Sequence, residues 1–125
     1  TATAKGLAEA LDLAPTQWTI SFQSRLTRDP WLLPDTPSIL EKLAKDGTKR
    51  VAVMCPAFVA DCLETLEEMG LAGAELFLEH GGDDFALVPC LNDSPRWVEA
   101  VCELIRDVQW PPGQLGYESG PQPSV

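Results

Sequence analysis

The spacing of apolar and polar positions changes several times along the chain, and each change predicts an element. Residues 4–13 place Leu7, Leu11 and flanking Ala at helical spacing, and Pro15 ends that helix. Residues 17–23 (QWTISFQ) are β-branched and aromatic, which predicts a strand. Residues 27–37 hold three prolines around an exposed-looking Trp31 and read as a loop. A short helix over 38–45 follows, closed by Asp46-Gly47. Residues 50–55 (RVAVMC) are a near-continuous apolar run stopped by Pro56, the pattern of a strand buried on both faces. Residues 61–79 read as one α-helix closed by Gly81-Gly82, and 85–90 (FALVPC) as another short strand. Pro95, with Ser94 as cap, opens a last helix to 108.

The predicted order is α-β-α-β-α-β-α. Helices between buried strands imply a doubly wound, Rossmann-like α/β fold: a parallel sheet with helices on both faces. Three strands are thin for this class, so a fourth is expected upstream of Thr1, in a chain truncated at its N-terminus. The domain is expected over residues 1–110. Residues 111–125 are rich in Pro and Gly and are expected to be a disordered tail.

Composition narrows the function. The chain has 125 residues, 45% of them hydrophobic, enough for one globular domain. Its net charge of −10 argues against nucleic acid or an anionic membrane as partner and permits a cation. The charge is uneven: residues 1–60 carry 7 basic and 6 acidic groups, residues 61–125 carry 2 and 13. Cysteines 55, 62, 90 and 102 form no C-x-x-C pair and read as free thiols of a reducing compartment. No phosphate-cradling glycine motif occurs. In an open parallel sheet the ligand lies beyond the carboxyl ends of the strands, here residues 23–25, 55–58 and 90–93.

The helix over 61–79 is strongly acidic. At 100° per residue Asp61, Glu64, Glu68, Glu75 and Glu79 share an arc of about 60°, opposite Cys62, Leu66, Met69, Leu76 and Phe77. The plain reading is a solvated face of an amphipathic helix. Against it, no Lys or Arg lies between Val51 and Pro95, and like charges one turn apart repel. A cation binder or proton acceptor would use both features. Gly70 and Gly73 introduce a bend or break that would split the stripe after Met69.

Three blocks then become informative: FQSRLTRDPWLLP (22–34), VMCPAFVADCLETLEE (53–68) and VPCLNDSP (88–95). In this order and spacing they resemble the C-terminal half of ferrochelatases, most nearly the proteobacterial type, over about residues 1–108. The resemblance implies insertion of Fe²⁺ into protoporphyrin IX in haem biosynthesis, in a cleft between two similar α/β domains. It implies roles residue by residue. Glu64, in the D-x-x-E-T-L block, matches the catalytic glutamate that accepts pyrrole protons or handles the metal. Glu68 matches an acidic residue that continues the proton or metal path, with Glu75 on the same stripe. Asp61 matches the aspartate that orients a catalytic histidine. Trp31 matches a tryptophan of the porphyrin-pocket lip, and Gln23 and Ser24 the strand end that closes the site. Arg25 reads either as a guide for a porphyrin propionate or as a surface charge. Asn92 and Asp93 read as the start of the last helix, and His80 as solvent-facing.

The departures count as much. The histidine of the family's S-A-H-G strand would precede Thr1, and many relatives have His where this chain has Cys62. The resemblance implies Fe²⁺ as substrate and no tightly bound cofactor. It also implies no iron–sulfur cluster, since the tail has no cysteine. Further implications are an N-terminal domain as the missing half of the cleft, at most peripheral membrane contact, a cytoplasmic location and little activity from these 125 residues alone. Two alternatives stay open. One is a non-catalytic metal- or porphyrin-binding module; the other is a chelatase for another tetrapyrrole such as coproporphyrin III.

Overall fold

The computed structural model describes residues 2–24 and 30–108. Arg25 and the expected tail lie outside the described residues. The chain divides into two compact units, Thr1–Asn92 and Asp93–Val125. The first contains α1 (Ala2–Ala10), α2 (Thr36–Lys45), β1 (Arg50–Val53), a π-helix (Glu64–Gly73), α3 (Ala74–Glu79) and β2 (Asp84–Leu87). The second contains α4 (Pro95–Asp107).

The α/β class is present, and β1 and β2 pair in parallel from Arg50↔Asp84 to Val53↔Leu87. The strand expected over 17–23 is not one. That stretch makes a single bridge, Phe22↔Asp35. Phe22 donates to the Pro34 carbonyl and accepts from Thr36. Pro34 has no N–H with which to extend the ladder, and the chain turns into α2 at once. Helix α2 starts two residues earlier than expected because Asp35 caps it, accepting from the Ser38 amide at 3.0 Å.

The strands are not buried on both faces. Burial alternates along both: Val51, Val53, Phe85 and Leu87 are half-buried, while Ala52 and Ala86 are exposed. Within this unit the core lies on one side of the pair. Leu40, Ala44 and Phe77 are buried there, packed by Leu43, Val51, Val53, Leu76 and Phe85. A strand with one packed face shows period-2 burial whatever its own hydrophobicity.

Both crossover-end turns are built the same way. Helix α2 closes with Gly47 N–H on the Ala44 carbonyl and Thr48 N–H on that of Leu43. Helix α3 closes with Gly81 N–H on Leu78 and Gly82 N–H on Phe77. These are Schellman caps, and Gly47 (φ +92°) and Gly81 (φ +106°) supply their left-handed residue.

The region 61–79 departs most from expectation. It is a ten-residue π-helix running into a six-residue α-helix. Its buried positions are Thr65, Met69, Gly73 and Phe77, spaced by four throughout. A 3.6-residue turn advances such a row by about 40° a step, and the wider i→i+5 turn over residues 65–73 offsets that drift before α3 adds Phe77. Gly70 and Gly73 widen nothing by breaking the helix; they let it approach its neighbours. A Cβ on Gly70 would lie 3.2 Å from Leu87 of β2, and one on Gly73 would lie 3.4 Å from Leu40 of α2. Leu66, expected inside, is exposed. His80 is half-buried rather than solvent-facing. Its Nδ1 lies 2.8 Å from the Leu76 carbonyl and its Nε2 3.4 Å from Glu41. In α4 no residue is buried, and Ser94 precedes Pro95 without a side-chain capping bond.

Candidate active site

The π-helix replaces the expected α-helical stripe by rows with a spacing of four. An open depression of about 310 Å³ is lined by Leu63, Glu64, Glu67, Glu68 and Ala72. Glu64 and Glu68 lie together here, as expected. Asp61 lies before the helix and Glu75 and Glu79 in α3, so none of the three lines the depression. Glu67, outside the arc drawn at 100° per residue, does line it. Residues 65, 69, 73 and 77 are Thr, Met, Gly and Phe, so no apolar row of period four marks this change of register in the sequence.

The three acids of the 53–68 block have different surroundings. Asp61 is engaged on both oxygens. Oδ2 accepts from Asn92 Nδ2 at 2.8 Å; Oδ1 accepts from the Cys90 amide and faces the Thr65 hydroxyl, each at 3.2 Å. Its own amide donates to Asn92 Oδ1 at 2.8 Å. Asn92 makes this pair from a left-handed backbone (φ +49°), which asparagine tolerates. The Asn92 amide and then the Cys90 N–H hold the Asp61 carboxyl below the usual carboxylate range. Asp61 thus clasps the segments that follow β1 and β2.

Glu68 is also engaged on both oxygens, by one residue. The Ser24 amide donates to Oε1 at 2.7 Å and the Ser24 hydroxyl to Oε2 at 2.5 Å. Ser24 does this at φ +60°, an uncommon conformation for a residue with a Cβ. Gln23 braces the same corner. Its Nε2 donates to the Glu64 carbonyl at 2.8 Å, and its Oε1 accepts from the Cys55 thiol at 3.1 Å. The half-buried Trp31 donates from Nε1 to the Gln23 carbonyl at 3.1 Å. Trp31, Gln23 and Ser24 therefore form one hydrogen-bonded string that ends on the π-helix.

Glu64 differs. Its carboxylate takes local donors, the Cys62 thiol foremost and then its own amide, and these lower its pKa. It is ionised at neutral pH and borders the depression. Among the described residues no group of three or more His, Cys, Asp or Glu side chains converges as a cation site. All four cysteines are free. Burial first, and then the nearby thiols and acids, pushes Cys55 up to about 11, and burial and Asp61 raise Cys90. No helix among the described residues is long and apolar enough to cross a membrane.

Similarity to known proteins agrees with the motifs. Ferrochelatase from Bdellovibrio bacteriovorus is 56% identical over 107 residues, 86% of this chain and 32% of that protein. Ferrochelatase from Pseudomonas putida is 53% identical over 103 residues, 82% of this chain and 30% of that protein. Ferrochelatase from Chromobacterium violaceum is 52% identical over 105 residues, 84% of this chain and 29% of that protein. All three are proteobacterial. The chain spans about a third of the length of the curated relatives it matches. The ferrochelatase family model covers residues 1–109, the stretch that carries all three sequence blocks and the Ser24–Glu68 corner, and the chain belongs to the ferrochelatase family.

Proposed function

We propose that this chain supplies part of the active site of an enzyme that inserts Fe²⁺ into protoporphyrin IX, with Glu64 as its reactive carboxylate. The observation that carries this is the contrast among the three acids. Asp61 and Glu68 give both oxygens to donors from distant segments, while the donors to the Glu64 carboxylate lie within two residues of it and the group borders an open depression. Metallation needs two pyrrole N–H protons to leave as the cation arrives. An ionised carboxylate beside the ring can take a proton, attract the cation, or do each in turn.

Asp61 in this reading holds the loop ahead of Glu64, and through it the start of the π-helix. Gln23 fixes the Glu64 carbonyl, and Trp31 anchors Gln23 while presenting its half-buried indole near the porphyrin. Arg25 would steer a propionate. The reading assigns Fe²⁺ as substrate, no resident cofactor and no iron–sulfur cluster. It places the reaction in the cytoplasm and gives the rest of the cleft to the part of the relatives' length that this chain does not cover. The test is Glu64→Gln in the full-length protein. Iron insertion should fall by at least about two orders of magnitude, the scale of a lost general base, with porphyrin still bound. Turnover near the parent's would remove Glu64 from this role.

A further inference from the structure

Resting on that reading, we infer that Ser24 is a positioning residue that competes with the metal for Glu68. Glu68 has been placed on the proton or metal path by resemblance, yet its two oxygens are 2.7 and 2.5 Å from the amide and hydroxyl of Ser24. A carboxylate saturated by two donors is a poorer ligand than a free one, because a cation must displace them. Ser24 lies 44 positions away in sequence and adopts φ +60°, so the pairing is a tertiary contact held in a strained conformation. The same corner is tied to β1's end through Gln23 and the Cys55 thiol, and to the Glu64 carbonyl through Gln23. Those bonds fix Ser24 independently of Glu68.

Ser24 therefore keeps Glu68 aimed at the chain until a cation takes it. A carboxylate restrained in this way passes an ion along and does not store it. Removing the hydroxyl in Ser24→Ala frees Oε2 while the amide still holds Oε1. Divalent cations should then bind more tightly and leave more slowly.

The experiment uses the full-length protein and Co²⁺ as the probe, titrated by calorimetry and by the visible Co²⁺ absorption. Ser24→Ala should bind Co²⁺ roughly tenfold more tightly than the parent, the scale of one hydrogen bond to a charged group. In the Glu68→Gln background the same substitution should change nothing. In the insertion assay, the KM for metal should fall with kcat, while the KM for porphyrin stays at the parent value. Ser24→Gly, which tolerates the left-handed backbone without the hydroxyl, should behave as Ser24→Ala and guards against misfolding. Unchanged or weaker Co²⁺ binding in both Ser24 variants overturns the competition, as does an equal effect when Glu68 is already Gln. A parent protein without chelatase activity would sink the functional reading and leave the Co²⁺ comparison standing.

Discussion

Gly82→Ala puts a methyl group where the core has no room. Its Cβ would lie 2.2 Å from Phe77 Cε1, 2.3 Å from Cδ1 and 2.7 Å from Cζ. Carbon atoms in contact sit about 3.5–4.0 Å apart, so the ring would have to retreat by more than about 1 Å. Phe77 is fully buried, in a cluster with Leu40 and Ala44, and its ring meets Phe85 at 6.3 Å between centroids. No open side receives it. Overpacking of this kind costs about 1–3 kcal/mol, and a clash with three ring atoms belongs at the upper end. In a domain of about 100 residues, about 3 kcal/mol lowers Tm by roughly 10–20 °C. The left-handed position of the cap is Gly81, so backbone strain adds little at Gly82. Thermal unfolding followed by circular dichroism measures the loss. The steric origin is isolated by adding Phe77→Leu, which shortens the ring side chain. The double variant should be more stable than the sum of the two single losses predicts. A Tm within about 3 °C of the parent for Gly82→Ala, or strict additivity with Phe77→Leu, would refute the argument.

Other outcomes follow from the site. Cys55, shifted to about 11, should resist alkylation by iodoacetamide at pH 8 and react promptly once the chain is unfolded in urea; equal rates would show that its burial is transient. The same shift makes alkali destabilising. The unfolded thiol ionises near pH 8.5 and the folded one near 11, so the folded state binds more protons between them and loses stability as pH rises through that window. Replacing Cys55 by Ala should flatten that part of the stability profile. Asp61 works in the opposite sense. Its folded pKa lies below the unfolded value of about 3.9, so its contribution is complete above that pH and is lost on acidification through the folded value. Asn92→Ala should raise the pH of the acid transition, and an unchanged transition would count against the clasp. The 125-residue chain alone should insert no measurable Zn²⁺ into porphyrin; turnover comparable to a full-length enzyme would contradict the division of the cleft.

Much of the element pattern was legible because it rests on local chemistry. The Asp46-Gly47 and Gly81-Gly82 pairs announced helix ends, and both close Schellman caps. The apolar runs beginning near Arg50 and Phe85 announced the two parallel strands. Residues 17–23 misled because their composition suits a strand, but a strand also needs a neighbour with free N–H groups, and the segment beside Phe22 contains Pro34. Of the candidate site, the motifs showed which residues to look at but not how they are bonded. Glu64, Glu68, Gln23 and Ser24 meet in space, but a sequence read alone does not show that Ser24 occupies both oxygens of Glu68. That pairing depends on a backbone conformation at Ser24 that serine's own preferences disfavour.

The π-helix is the point where local reading had to fail. An α-helix over 61–79 satisfies the apolar periodicity almost as well, and residue propensities do not separate a 3.6-residue turn from a wider one. What decides is packing at long range. Thr65 and Phe77 are fully buried and Met69 nearly so, while Gly70 and Gly73 come within a methyl group's reach of β2 and α2. Keeping residues 65, 69, 73 and 77 on one buried face fixes the opposite rows as well. Glu64, Glu68 and Ala72 then align beside Leu63 and Glu67. The spacing that seats the helix on the core therefore keeps Glu64 and Glu68 in one row and brings Glu67 beside them at the depression. Gly70→Leu tests this link. Its side chain would meet Leu87 where even a Cβ has only 3.2 Å, forcing the helix off β2. On the proposed role of Glu64 and Glu68, it should weaken metal handling there although residue 70 lies outside the lining. A folded Gly70→Leu enzyme with the parent's KM for metal would separate the packing from the site.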